Sequence, residues 1–166
     1  MDAEIAILRL LHIVPGVVWV GSAIFLAWVL QSALKVTGPP HAGALMSNMV
    51  KPMVILLHSS ASLTIIFGVI MAFRVQDPLF DFLWSTNWGT MIWVGALLAV
   101  LGYAVGTTGG FTSKKMMDLG ASLQGPPTPE QGAEIARLQA RAMLLTKIAS
   151  LLVTIAVITM ALAQHV

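Results

Sequence analysis

"LRLLHIVPGVVWVGSAIFLAWVLQ", residues 8–31, carries one fixed charge, Arg9, and is otherwise apolar but for His12, Ser22 and the closing Gln31. A bilayer core is crossed by about 20 helical residues, so this stretch is long enough to span it. The preceding residues, "MDAEIAI", are acidic where a secretory leader is basic, and the apolar run outlasts a leader's short core. A retained first span is therefore expected. The composition agrees with it: of 166 residues 57% are apolar and 10% charged, and the mean hydropathy is +0.87. That leaves too little polar surface to coat a soluble globule. The absence of cysteine excludes disulfides, iron–sulfur clusters and thiolate chemistry, leaving four histidines and ten methionines as the side chains best suited to a metal or haem. The net charge of +2 is small and argues for membrane topology, not nucleic-acid binding.

Outward from the first span, four apolar stretches of sufficient length fall near 7–34, 52–74, 88–107 and 143–163. "KVTGPPHAGALMSNMVKP", "VQDPLFDFLWSTN" and the long "TTGGFTSKKMMDLGASLQGPPTPEQGAEIARLQAR" between them read as loops, rich in Gly, Pro and polar residues. Within the third loop, Thr128, Pro129 and Gln131 have the spacing of a capped helix start, with Glu130 favourable beside it. Ile135, Leu138 and Ala142 continue at helical spacing, so this segment should fuse with the fourth span into one helix of about 35 residues. The expected architecture is all-α: a single polytopic membrane domain over residues 1–166, a four-transmembrane-helix bundle whose fourth helix extends on the cytoplasmic side.

Loops one and three and their flanks hold Lys35, Lys51, Lys114, Lys115, Arg137, Arg141 and Lys147, whereas the opposite side holds Arg9 and Arg74. The positive-inside rule then puts both termini on the outer, periplasmic side of a bacterial inner membrane. Loop two, with Asp77, Asp81, Trp84 and Trp88, shares that side, its tryptophans suited to the headgroup belt.

Histidines at membrane depth are the candidates for chemistry. On the first span Gly16, Trp19 and Ala23 share a side with His12, a notch with an aromatic wall that suits either a flat macrocycle or close helix packing. Arg9, one turn from His12, could pair with a propionate. Pro15 frees a carbonyl near Leu11 and can kink the helix. His58, with Ser59, Ser60 and Ser62 beside it, is either a ligand or a helix-bridging hydrogen bonder. Counting residues from each span's midpoint sets His12 and His58 at depths differing by about 18 Å. One bis-histidine haem within a protomer is thus disfavoured against two sites or a site shared between protomers. His165 is an alternative partner for His12 on depth, and His41 reads as solvated. Gly95, Ala99, Gly102 and Gly106 form a small-residue stripe, and Thr146, Ser150 and Thr154 a polar one, both suited to helix contact. The methionines read as filler, with only Met46 and Met49 at a Met-x-x-Met spacing suggestive of copper(I). Lys147 reads as snorkelling.

At "LRLLHIVPGVVWVGSAIFLAWVL" the chain resembles the small four-helix membrane proteins that include the HemJ protoporphyrinogen oxidases and CopD-like copper-resistance domains. The likeness lies in Leu-His-Ile followed by Trp-Val-Gly, and more loosely in the order of spans and "GYAVG". It implies that His12 ligates a b-type haem. A lysine that the HemJ family uses in its third span has no counterpart in "NWGTMIWVGALLAVLGYAVG".

The leading expectation is a membrane b-type haem protein that transfers electrons within the bilayer or to a quinone or another redox protein. His12 and His58 are its metal ligands, with Arg9, Gly16 and Trp19 around the cofactor. The alternative is a cofactor-free subunit or small transporter with helix-bridging histidines, and the third reading is a HemJ-like oxidase. A homo-oligomer would let a neighbour supply missing ligands.

Overall fold

The computed structural model describes residues 3–75 and 83–165, and among these there is no strand. Helix α1 (Ala3–Ile24) runs through Pro15 into a π-helical segment, Phe25–Leu30, and on into α2 (Gln31–Thr37). It is followed by α3 (Pro39–Val75), α4 (Asn87–Ala121) and α5 (Pro129–Leu162), closed by a 3-10 turn, Ala163–His165. Four rods result, each long and apolar enough to cross a membrane, and the chain is an all-α integral membrane protein. Rods of 35 to 37 residues measure about 52–55 Å at 1.5 Å per residue, well beyond a core of about 30 Å.

Much of the length sits where the sequence suggests loops. Between α2 and α3 the chain turns only at Gly38, which takes φ +83°, a conformation open to glycine. Pro39 then starts α3, where a missing N–H costs nothing, and Ala, Leu and Met carry the helix to Pro52 and through it. Likewise α4 does not stop near residue 107 but continues to Ala121. Thr108 and Thr112 bond their hydroxyls to carbonyls one turn back, and Lys114 pairs with Asp118 at 2.6 Å. The extension is thus shared by all four rods, not confined to the fourth. The start of α5 is as expected: Thr128 accepts from the Gln131 N–H and the Gln131 side chain accepts from the Thr128 N–H.

Lipid gives no hydrophobic drive to helix pairing, so close van der Waals fit decides which faces meet. The tightest pair is α4–α5. A Cβ on Gly95 would sit 2.7 Å from Met160 Cγ, one on Gly102 2.6 Å from Val153 Cγ1, and one on Gly109 3.3 Å from Leu145 Cβ. The opposing numbers descend as the glycines ascend, so the helices are antiparallel. Gly95 and Gly102 of the glycine stripe are thus closed against α5. Helices α1 and α3 form the second antiparallel pair: Thr64 Cγ2 lies 3.4 Å from where a Gly16 Cβ would be, and the His12 ring fills the space beside Gly68. Trp28, in the π segment, ties the hairpins together by donating to Ser150 Oγ at 3.1 Å, with Lys147 Nζ 5.3 Å above its ring. Lys147 thus has an aromatic partner as well as a route to the interface.

A candidate ligand cavity at the centre of the bundle

His12 is fixed at the α1–α3 contact. Its Nδ1 lies 2.7 Å from the Thr64 carbonyl oxygen. A carbonyl only accepts, so Nδ1–H is the donor. The notch at Gly16 is filled by Thr64, and Trp19 is buried in a core with Ala61 and Val153. The room expected there for a macrocycle is taken by α3. Arg9 is an exposed residue three positions before His12. His165, in the terminal turn, is exposed and accepts from the Gln164 amide at 3.2 Å; His41 is exposed. Trp84 stacks edge-on against Trp93 at 5.7 Å, whereas Asp77 and Asp81 lie outside the described residues.

His58 stands elsewhere. It is ten residues from Gly68, the level of His12, and so about 15 Å away along α3. Its Nδ1–H donates to the Val54 carbonyl, one turn back, at 2.9 Å. Its ring meets Tyr103 of α4 edge-on at 5.6 Å, and Tyr103 meets Trp19 of α1 at 6.1 Å. Ser59 and Ser60 bond to carbonyls of their own helix and do not compete for the imidazole. With Nδ1 pinned, Nε2 is the nitrogen left for a ligand.

These three rings line one end of a cavity of about 210 Å3 that draws on all four rods. From there it runs along Leu26 and Leu30 of the π segment, Met46, Met49 and Met53 of α3, and Gly106 and Gly110 of α4. Lys114, 68% exposed, lines the far end and marks the mouth. The span from Tyr103 to Lys114 is about 16 Å along α4. The lining is chiefly apolar, yet two buried polar atoms in cavity-lining residues, Gln31 Oε1 and Thr107 Oγ1, have no hydrogen-bond partner. The three methionines, of which Met46 and Met49 are the pair at Met-x-x-Met spacing, line one space.

The structure therefore separates the sequence candidates: His58 and Trp19 share the cavity, whereas His12, Arg9 and Gly16 are not among its lining residues. Among the described residues no three His, Asp or Glu side chains converge. Tyr103, Thr107 and Gln31 are residues that reasoning from sequence missed. Tyr103 is the single tyrosine of the chain, set between glycines in "GYAVG", and that was the available signal. The fold is that of a polytopic α-helical membrane protein whose helices border a part-open cavity. No protein-family model, curated protein or solved structure matches the chain.

Proposed function

We propose that the protein binds a flat, ring-bearing redox ligand in the central cavity and takes part in membrane electron transfer, with a quinone-type ring as the occupant. The observation that carries this is the cavity end itself: the Trp19, Tyr103 and His58 rings, with one imidazole nitrogen uncommitted. The volume of about 210 Å3 exceeds the roughly 150 Å3 hole that takes one benzene, and so suits one substituted ring with the start of a chain. An apolar wall with a few polar groups is the usual form of a small-molecule site. By the positive-inside rule the mouth at Lys114 faces the cytoplasm and both termini face the periplasm of a bacterial inner membrane.

A b-type haem is the second reading, favoured by the pinned His58 imidazole, whose Nδ1–H already donates to a backbone carbonyl as that of a ligating histidine does. His58 Nε2 would hold the iron, Lys114 at the cavity's far end would offer a cation to the propionates, and the haem would supply one-electron redox chemistry. A macrocycle is larger than the roughly 210 Å3 of the cavity and would extend through its open side.

The test is a reduced-minus-oxidised absorption spectrum of the purified protein together with analysis of its organic extract, for wild type, His58→Ala and His12→Ala. A quinone in the extract, lost from His58→Ala and kept by a folded His12→Ala, supports the first reading. Soret and α bands with the same pattern support the second. A protein that carries neither and takes up neither from supplemented vesicles refutes both.

A further inference from the structure

We infer that Lys147 and Trp28 hold the phosphate of an anionic inner-leaflet phospholipid at the seam between the two hairpins, and that this lipid tightens their docking. A charge imbalance points there first. Each described carboxylate is already engaged: Glu4 with Arg74, Asp118 with Lys114, Glu134 with Arg137, and Glu130 with Thr128 and a backbone N–H. On the side of loops one and three this leaves Lys35, Lys51, Lys115, Arg141 and Lys147 with no carboxylate partner among the described residues. Of all the Lys and Arg side chains, Lys147 alone is half-buried; the others are exposed. Its ammonium lies 5.3 Å from the centre of the Trp28 ring, and none of its three N–H donors meets an acceptor among the described residues.

The depth of the pair says which anion meets it. Lys35 directly follows the first apolar stretch and Lys51 directly precedes the second, so both mark the inner edge of the hydrocarbon. The α1–α3 register, Gly16 against Thr64 and His12 against Gly68, sets Lys51 opposite residue 29 when continued along both helices. Trp28, 47% exposed, and Lys147 above its ring therefore lie where headgroups meet acyl chains. The anions abundant at that level are phospholipid phosphates, and anionic lipids of the cytoplasmic leaflet draw basic residues to them. The uncompensated cations favour a lipid of net negative charge over a zwitterion, whose own ammonium competes. A lysine at this depth otherwise stretches toward water. A phosphate beside it removes that pull and takes the ammonium donors, so Lys147 stays on the Trp28 ring while Trp28 stays bonded to Ser150. The lipid thereby keeps the α1–α3 hairpin joined to the α4–α5 hairpin.

The experiment titrates detergent-purified protein with phosphatidylglycerol and, separately, phosphatidylcholine of the same chains, and follows bound lipid by native mass spectrometry. Glycerol phosphate serves as the soluble headgroup. Wild type, Lys147→Gln, Lys147→Arg and Lys115→Gln are compared. Wild type is expected to bind its first phosphatidylglycerol about fivefold more tightly than phosphatidylcholine, the scale of one lysine at an anionic surface. Lys147→Gln erases that preference, whereas Lys147→Arg, which keeps a cation at the seam, and Lys115→Gln, which removes an exposed one, retain it. A second readout needs no variant: phosphatidylglycerol slows amide exchange in residues 25–37 of wild type, and phosphatidylcholine and glycerol phosphate do not. Equal affinity for the two lipids, a folded Lys147→Gln with the wild-type preference, or exchange in 25–37 that ignores lipid charge overturns the site. Equal slowing by glycerol phosphate gives Lys147 a free anion and overturns the lipid assignment.

Discussion

The Nδ1–H of His12 donates across 2.7 Å to the Thr64 carbonyl, and its ring occupies the space that a side chain at residue 68 would need. A histidine in a membrane span is thus explained first by helix pairing. A Cβ on Gly68 would fall 2.8 Å from both Cε1 and Nδ1 of the ring. Gly68→Ala should therefore destabilise the α1–α3 pair by about 1–3 kcal/mol, the cost of overpacking. His12→Ala should relieve much of that penalty in the double variant. A double-mutant cycle on unfolding in mixed micelles measures the coupling, and additive effects would contradict the contact.

The α4–α5 hairpin makes a parallel prediction with its own control. Gly102→Ala would meet Val153 Cγ1 at 2.6 Å, and should cost about 1–3 kcal/mol. Gly110→Ala meets nothing within 4 Å and should be neutral or stabilising, since alanine favours helix over glycine by about 1 kcal/mol. Thermal unfolding of the two variants side by side checks the order.

Trp28 bridges the hairpins, so Trp28→Phe should loosen the π-helical segment from α5 without unfolding either hairpin. The lost bond to Ser150 is worth about 0.6–1.7 kcal/mol in a membrane setting. Faster exchange of amides in 25–37, with α3 unchanged, is the readout.

At the projecting start of α5, a backbone N–H and the Thr128 hydroxyl hold the Glu130 carboxyl below its ordinary range, and the Arg137 guanidinium does the same for Glu134. Folded values lowered in this way give stability that is present above the ordinary carboxylate range and lost as pH falls through the folded values. Amide protection in the first turns of α5 should therefore fall on acidification while the apolar part of the helix is unmoved. Thr128→Ala should reproduce the loosening at neutral pH, at about 0.5–2 kcal/mol.

What was legible in the sequence follows from what a pattern of residues can encode. Apolar length announces four spans, and the Thr128–Gln131 spacing announces the cap, because both are local. The extensions of α3 and α4 were hidden, since Gly and Pro read as breakers, and in α4 only a neighbouring helix shows why the chain continues as helix. At Gly109 that neighbour is Leu145. His12 and His58 both stood in the sequence as candidate ligands, and only tertiary contact shows one against Thr64 and the other lining the cavity. Gln31 and Thr107 carried no local signal at all: the π segment and the α2–α4 geometry that bring them to one cavity are not written in any short window.

The most direct test of the cavity as a ligand site uses Trp19 in its wall as a reporter. Fluorescence of wild-type protein is titrated with a decyl-substituted benzoquinone, beside Trp19→Phe and Gly110→Phe, the latter chosen because Gly110 lines the cavity and a Cβ there meets nothing within 4 Å. Saturable quenching in wild type is predicted, sharply reduced in Trp19→Phe and abolished in a folded Gly110→Phe whose cavity is filled. Quenching that is linear in quinone, or identical in all three proteins, would contradict a ligand site at the centre of the bundle.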